Sequence, residues 1–157
     1  MDVRATIEAL GLQPHPEGGF FREVVRSAAQ VPHPAHGAAR AAFTSIHFLL
    51  PAGTFSAWHR VSSDELWIHL DGGPLGLHLL SEAAGYREQR LGPGGSYQTV
   101  VPAGVWQAAM PAGDRASLCA CVVAPGFDFA DFEMPTRVEL LEQLPAFADA
   151  VRRFTRA

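Results

Sequence analysis

The chain has no lysine, only two cysteines and no long run of apolar residues. Its twelve basic residues are all arginine, and the net charge is −4 at pH 7. Proteins that bind nucleic acid or anionic membrane surfaces usually carry a basic stripe, and none is visible here. No apolar run reaches the roughly 20 residues that a membrane-spanning helix needs. We therefore expect neither a nucleic-acid partner nor a membrane partner.

We also expect neither a secretory signal nor a disulfide framework. Acidic Asp2 and Glu8 stand where a signal peptide is basic and then apolar, so we expect a cytoplasmic location. Cys119 and Cys121 are two residues apart in a predicted strand, a separation too large for an easy disulfide. We predict that both are reduced thiols in the core.

Short β-type segments with Gly and Pro turns fill most of the chain. Such segments at intervals of about ten residues predict an all-β sandwich or barrel, and the length suits a single domain over residues 1–157. Helical spacing of apolar residues predicts a helix at each end of the chain, over residues 3–10 and 136–144, and a second C-terminal helix is placed over 146–154. Residues 27–39 lack periodicity and are interpreted as a loop. The predicted strands are 20–25, 43–50, 55–60, 65–70, 75–80, 86–91, 97–101, 106–109 and 116–124.

One strand carries polar groups on a single face. Glu65, Trp67 and His69 alternate with aliphatic residues, so they share one side of the predicted strand. His59 precedes the turn at residues 62–64, and a hairpin would carry it back beside Glu65. Burial of a lone carboxylate costs several kcal/mol, so a buried Glu65 needs a partner. We therefore predict a buried pair of His59 and Glu65.

The same segment resembles the first motif of the cupins. Gly53, His59, Glu65 and Gly72 keep the spacing of that motif, whereas Val61 stands where the motif has its second His. The second cupin motif is matched by residues 102–107, with Gln107 in place of the terminal His. Residues 14–20, 46–50, 58–59, 64–67, 101–109 and 124–129 resemble the cupin-5 group in particular, whose function was long unassigned.

The resemblance implies an all-β cupin jelly-roll barrel with a short N-terminal helix and C-terminal helices. It also implies a homodimer and a barrel similar to that of dTDP-sugar epimerases. The usual cupin metal set has three His and one Glu, of which this chain retains His59 and Glu65, with Gln107 a weak third ligand. His47 or His69 would have to complete such a set. We favour no cofactor, and a divalent metal at His59, Glu65 and Gln107 is the alternative.

The favoured function is a small-molecule-binding cupin that acts as a metal-independent isomerase or epimerase on a sugar or sugar nucleotide. His59 held by Glu65 would be the general base, and Tyr97 or His69 would return a proton. A non-catalytic ligand-binding module and a metal-dependent cupin enzyme remain the alternatives. The residues expected to contact substrate are His47, Trp58, Trp67, His69, Gln98, Trp106 and Gln107.

Several residues allow two interpretations. The tryptophans fit either sugar stacking or a plain barrel core, and the pair of His59 and Glu65 could be a structural hydrogen bond. His15 and Glu17 lie in a segment rich in Pro and Gly that favours an entrance loop over a role at the pocket rim. We interpret Phe127, Phe129 and Phe132 as barrel closure and assign His33 and His36 no specific role.

Overall fold

The computed structural model describes residues 1–156 and confirms the predicted jelly-roll cupin fold. Most of the predicted strands are present with ends shifted by one or two residues. The strands are β1 (Gln13–Pro14), β2 (Phe20–Arg26), β3 (Gln30–Pro32), β4 (Ala39–Ala41), β5 (Thr44–Leu50), β6 (Ser56–Val61), β7 (Asp64–Gly72), β8 (Leu75–Ser81), β9 (Gly85–Leu91), β10 (Gln98–Val101), β11 (Trp106–Pro111), β12 (Ser117–Ala124) and β13 (Phe132–Glu133).

Two antiparallel sheets face each other. The six-stranded sheet has the order β1-β2-β5-β12-β7-β10, and the five-stranded sheet has the order β13-β6-β11-β8-β9. The main core lies between them and contains Phe48, Trp67, Leu77 and Leu79. Each inward residue alternates with one on the outer face, as the period of a strand requires.

The three central strands of the five-stranded sheet, β6, β11 and β8, are buried on both faces. The outer side of the sheet packs against the C-terminal helices through a second cluster that includes Trp58, Trp106, Leu140 and Phe154. This explains why β8 is buried at every position from Leu75 to Leu80, without the alternation of a half-exposed strand. The C-terminal helices are therefore a third layer of the structure rather than an appendage.

The helices begin and end at chemically suitable residues. Helix α1 (Val3–Leu10) is capped by the Asp2 side chain and ends at Gly11 in the left-handed conformation. Helix α2 (Arg137–Gln143) begins with a capping box between Thr136 and Glu139, and α3 (Ala148–Arg153) follows a 3₁₀ turn. Among residues 1–156, no helix has both the length and the apolar character needed to cross a membrane.

The predicted loop over residues 27–39 is the main error in secondary structure. It contains β3 and the start of β4, which form a separate two-stranded sheet. The two-residue strands β1 and β13 were also missed. Strands this short have no measurable periodicity and exist only because a neighbouring strand offers hydrogen bonds.

The segment before β2 turns back under the barrel. The N–H of Gly18 donates to the carbonyl of His15, and the N–H of His15 donates to the carbonyl of Gly19, both at 3.0 Å. The carbonyl of Glu17 accepts the N–H of Ala57 in β6 at 2.8 Å. These bonds place the Glu17 side chain inside the barrel, although the segment itself is irregular.

Gly19 provides a test of how tightly this segment is packed. Its φ is +72°, close to the +76° of Gly53, but a Cβ at Gly19 would lie 2.8 Å from the Leu49 carbonyl oxygen whereas one at Gly53 meets nothing. We predict that Gly53→Ala lowers the free energy of unfolding by about 1–2 kcal/mol and Gly19→Ala by about 2–4 kcal/mol. Urea denaturation of both variants measures the difference, and equal losses would contradict tight packing.

Candidate functional site

A cavity of about 420 Å³ lies between the two sheets. Most of its wall is apolar and aromatic, and two buried imidazoles and two buried carboxyl groups interrupt that wall: His15, His59, Glu17 and Glu65. The aromatic residues in the wall are Phe21, Phe48, Trp67, Phe127, Phe129 and Phe132. A mostly apolar concavity with a few convergent polar groups is the usual form of a small-molecule site.

Glu17 and His59 are in direct contact within the cavity. Glu17 Oε2 is 3.2 Å from His59 Nε2, and both side chains are almost completely buried. The other carboxyl oxygen, Oε1, accepts a hydrogen bond from the Ser56 hydroxyl at 2.9 Å. Glu17 therefore has one oxygen fixed by a donor and one directed at the imidazole.

The tautomer of His59 follows from its second contact. His59 Nδ1 is 2.8 Å from the carbonyl oxygen of Ala57. A carbonyl can only accept, so Nδ1 carries a proton and donates it. In the neutral ring, Nε2 is then the basic nitrogen, and it faces Glu17.

Burial changes the protonation of both partners. Burial raises the pKa of Glu17 to about 7, because the charged carboxylate loses hydration inside the barrel. Burial lowers the pKa of His59, and the charge of Glu65 offsets this only in part. Both shifts favour the neutral forms, a protonated carboxyl beside an uncharged imidazole.

Glu65 is held by a separate donor. Gln107 Nε2 donates to Glu65 Oε2 at 2.5 Å, and the Cys121 thiol lies beside the same carboxyl. Trp67 Nε1 donates to Gln107 Oε1 at 2.8 Å, which fixes the orientation of the amide. Burial raises the pKa of Glu65 to about 6. The cavity therefore has a second carboxyl whose protonation changes near neutral pH.

His15 completes the polar part of the wall. Its ring packs edge-on against Phe21 with 4.6 Å between centroids, and its Nδ1 lies 3.5 Å from Glu17 Oε2. The backbone N–H of Glu17 donates to His15 Nδ1 at 3.3 Å, so the proton of the neutral ring is on Nε2. Burial lowers the pKa of His15 and keeps the ring neutral.

The predicted contact between His59 and Glu65 is replaced by the one with Glu17. The expected hairpin does not form, because β6 pairs with β11 and β13 whereas β7 pairs with β10 and β12 in the opposite sheet. His59 and Glu65 consequently face the cavity from opposite walls. Trp67 also lines the cavity. Gln107, which pairs with His59 in the five-stranded sheet, donates to Glu65 from the opposite wall.

Two of the expected ligand-stacking tryptophans lie outside the cavity. Trp58 points to the outer face of β6, where its Nε1 donates to the carbonyl of Ala150 in α3 at 2.9 Å. Trp106 packs in the same outer cluster, with the Arg60 guanidinium 4.3 Å above its ring. Both tryptophans are therefore core residues, as the second interpretation had it. They lie on the outer faces of their strands, because neighbouring positions along a strand face opposite sides.

The remaining candidates are not cavity residues either. His47 lies on the face of β5 opposite Ile46 and Phe48, which do line the cavity. His69 is buried, and its Nε2 donates to the carbonyl of Gly73 at 2.8 Å. Gln98 is exposed on β10, an edge strand.

Tyr97 is 60% exposed and does not line the cavity. It precedes β10 at the edge of the six-stranded sheet, and its nearest aromatic neighbour is His69 at 6.1 Å between centroids. Its expected role as a proton donor therefore has no support from its position.

The residues that the sequence interpretation undervalued are Glu17 and His15. The available signal was an acid and a His in a short segment whose two glycines let the backbone pass close to the barrel.

The residues present do not fit the cupin metal set. Gln107 is already engaged, since its Oε1 accepts from Trp67 and its Nε2 donates to Glu65. Val61 replaces a second potential ligand. Within residues 1–156, the cavity side chains do not bring three ligand atoms within 4.8 Å of one another. The two carboxyl groups accept hydrogen bonds from Ser56 and Gln107 instead, and the His59 ring donates to a backbone carbonyl.

A different group, His33, His36 and Asp131, does bring three potential ligand atoms within 4.8 Å. In both rings Nδ1 accepts a backbone N–H from two residues further on, at 3.1 and 3.2 Å, so Nε2 carries the proton. Those protons are donated to Ser63 and Asp131, and Arg40 binds both carboxylate oxygens of Asp131. Because a metal needs a lone pair at Nε2, we interpret the group as a hydrogen-bonded clasp on the β3–β4 hairpin.

The chain is similar to known sequences and structures over most of its length. The sequence profile of the Cupin_5 family, described as cupin superfamily (DUF985), matches residues 4–135. A hypothetical protein from Leishmania major is 34% identical, with a TM-score of 0.92 and 98% of each chain covered. A protein from Shewanella oneidensis is 32% identical, with a TM-score of 0.89, and the match covers 99% of this chain and 98% of that one.

More distant structures share only the fold. An oxalate decarboxylase from Lactobacillus farciminis is 12% identical, with a TM-score of 0.60, and the match covers 96% of this chain and 43% of that one. No curated protein matches the chain. The profile match, the two relatives above 30% identity and the two-sheet barrel agree, and they show that this chain belongs to the Cupin_5 family of the cupin superfamily.

Proposed function

We propose that the cavity binds a small neutral carbonyl compound, such as a neutral sugar, and catalyses a metal-independent isomerisation or epimerisation by proton transfer. The observation that carries this proposal is the buried contact of 3.2 Å between Glu17 Oε2 and His59 Nε2. The fixed Nδ1–H of His59 leaves one nitrogen to exchange protons, and Glu17 is the adjoining acid or base. A base whose pKa lies near the working pH is the most efficient one.

The reaction would need no oxidant or other co-reactant. In the first step the pair of Glu17 and His59 takes a proton from the carbon next to the substrate carbonyl. The electron pair of the C–H bond forms the new C=C bond, and the π pair of the carbonyl moves to its oxygen to give an enediolate. In the second step a proton returns to carbon and the carbonyl re-forms. Glu65 faces the cavity from the opposite wall, so it is placed to return the proton on the other face of the substrate. Return from that side would invert the carbon, as an epimerase requires.

Charge favours a neutral substrate over a sugar nucleotide. The cavity wall includes four acids, Glu17, Glu23, Glu65 and Asp128, and a single arginine, Arg26. That arginine is engaged by Glu23 at 2.6 Å. A diphosphate would be close to several acids without an unpaired cation in the wall, which is unfavourable in a site of low dielectric constant.

A non-catalytic ligand-binding module is the second candidate, and the aromatic wall of the cavity favours it. The two candidates differ in one observable. A ligand that raises the melting temperature without any exchange of its carbon-bound hydrogen would support binding alone. A ligand that does both would support the enzyme.

We also propose that the chain forms the homodimer implied by its family resemblance. Val24, Val25 and Phe43 are exposed on β2 and beside β5, two paired strands at one side of the barrel. Exposed apolar side chains that lie together are typical of an interface. Light scattering on the purified protein measures the mass directly.

The proton-transfer proposal is tested by exchange of carbon-bound hydrogen in D₂O, followed by ¹H NMR on a panel of neutral aldoses and ketoses. We expect the wild-type protein to exchange the hydrogen next to the carbonyl of at least one sugar. His59→Ala and Glu17→Gln should lower that rate by about 10²–10⁴-fold, the usual contribution of a general base. Glu82→Gln, the same chemical change at an exposed turn, should leave the rate unchanged.

The outcome that would reject the mechanism is wild-type exchange in His59→Ala. Loss of exchange in Glu82→Gln would instead show that the assay reports a non-specific effect. The same panel run with a chelator separates the proposal from metal chemistry, because a proton transfer by side chains survives removal of divalent ions.

The raised pKa of Glu17 predicts a stability that depends on pH. The folded protein holds the Glu17 proton more tightly than the unfolded chain, so ionisation destabilises the fold as the pH rises from about 4.5 to 7. Glu17→Gln mimics the protonated acid. Its free energy of unfolding should equal that of wild type near pH 4.5 and exceed it by up to about 3 kcal/mol at pH 8.

Glu139→Gln provides a control of opposite sign. Hydrogen bonds from the Thr136 backbone and hydroxyl lower the pKa of Glu139, so its ionisation stabilises the fold. That variant should therefore lose stability relative to wild type as the pH rises through the range in which Glu139 ionises. Urea denaturation at a series of pH values gives both curves, and a pH-independent difference between Glu17→Gln and wild type would contradict the raised pKa.

The hydrogen bonds of Gln107 to Trp67 and Glu65 predict that the cavity does not hold a stoichiometric metal ion. Elemental analysis of protein purified without added metal should find substoichiometric zinc, iron and manganese. Gln107→His with Val61→His restores the missing cupin ligand types and should raise the metal content. A full equivalent of metal in the wild-type protein would overturn this expectation.

A further inference from the structure

Arg156, near the end of the chain, contacts the segment that carries Glu17. Its Nη1 donates to the carbonyl of Pro16 at 3.2 Å, and its Nη2 donates to the carbonyl of Glu17 at 3.0 Å. The Glu17 carbonyl also accepts the N–H of Ala57 in β6 at 2.8 Å. Both lone pairs of that oxygen are therefore used, one by the barrel and one by the C-terminal segment.

The C-terminal segment is itself firmly held. Arg137 donates from Nε to the Thr155 hydroxyl at 2.9 Å and from Nη2 to the Thr155 carbonyl at 2.6 Å. The carbonyl of Phe154 accepts the N–H of Trp58 at 3.0 Å, and the Phe154 ring is completely buried. The residues just before Arg156 are thus fixed to α2 and to β6. Little freedom remains for the arginine backbone.

The guanidinium lies directly against the backbone of the segment. A Cβ at Gly18 would be 2.8 Å from Arg156 Nη2 and 2.3 Å from the carbonyl oxygen of Phe55. Only a residue without a side chain fits between the arginine and the barrel. The glycine at this position is therefore required for the contact as well as for the turn.

We propose that Arg156 is a positioning residue for Glu17, which it fixes by its backbone so that the carboxyl meets His59. The family profile matches residues 4–135. The segment that follows residue 135 then helps to arrange the side chains of the cavity. The relevance to catalysis rests on the proposed function, but the placement of Glu17 does not. Charge-assisted hydrogen bonds of this kind are among the stronger ones in proteins.

The test is amide hydrogen exchange, measured by NMR on ¹⁵N-labelled protein. In Arg156→Ala we expect the amides of Ala57 and Gly18 to exchange about 10- to 100-fold faster, because the Glu17 segment opens locally. The amide of Ala109 in the five-stranded sheet should keep its wild-type rate. The ¹⁵N resonance of His59 Nε2 should move in the same direction as it does in Glu17→Gln, since both changes remove the carboxyl from the ring.

Arg152→Ala is the matched control. Arg152 is an exposed arginine on α3 whose only ion pair, within residues 1–156, is with Asp149 at 3.7 Å. Its loss should change none of these signals. Added ethylguanidinium should restore part of the protection in Arg156→Ala, whereas ethylammonium at the same concentration should not, because it lacks the fork of donors.

Two results would overturn the proposal: unchanged exchange at Ala57 and Gly18, or equal acceleration of all amides in step with a lower global stability. If Arg156→Ala does not fold, Arg156→Lys serves instead and should show a smaller but still local acceleration. None of these measurements uses a substrate. Failure of the sugar-exchange assay would therefore reject the proposed function while the role of Arg156 is judged on its own.

Discussion

The cavity depends on placing a carboxyl group where water is scarce and a single imidazole faces it. Glu17 is buried among aromatic side chains, and its ionised form would lose most of its hydration. The contact with His59 and the hydroxyl of Ser56 compensate for part of that loss. Because the compensation is incomplete, the carboxyl keeps its proton to higher pH than an exposed one. This is a property of structural burial and also the property that proton-transfer chemistry uses.

The second carboxyl shows how the same barrel handles an acid on the opposite wall. Glu65 is held by the Gln107 amide, and Trp67 fixes the amide in turn. In this chain the terminal position of the second cupin motif is thus an element of a hydrogen-bond chain. Such a network is stable only if every member is satisfied, and no buried side-chain nitrogen or oxygen in residues 1–156 lacks a partner.

The layered packing explains how the irregular segment that carries Glu17 is held in one position. The five-stranded sheet is covered on its outer face by the C-terminal helices, which fix β6 from behind through Trp58 and Phe154. Strand β6 supplies both His59 and the N–H that binds the Glu17 carbonyl. The chain ends meet at this point, since Arg156 binds the segment that follows α1. The position of Glu17 in the cavity is therefore set by the three layers together.

Local patterns in the sequence determined the longer strands, the caps of α1 and α2, and the membership of His59, Glu65 and Trp67 in one cavity. These features depend on side-chain periodicity, Gly and Pro punctuation and motif spacing, all of which act over a few residues. Cys119 and Cys121 are buried free thiols, as the strand spacing predicted.

The tertiary structure alone decided which carboxyl meets His59. Strands β6 and β7 are consecutive yet enter opposite sheets, so Glu65 faces His59 across the cavity, whereas Glu17 is brought in from 42 positions earlier in the chain. It also placed Trp58, Trp106 and Tyr97 outside the cavity. Sequence periodicity tells that a strand has two faces, but only the packing of sheets and helices decides what each face meets, because those contacts join residues distant in sequence.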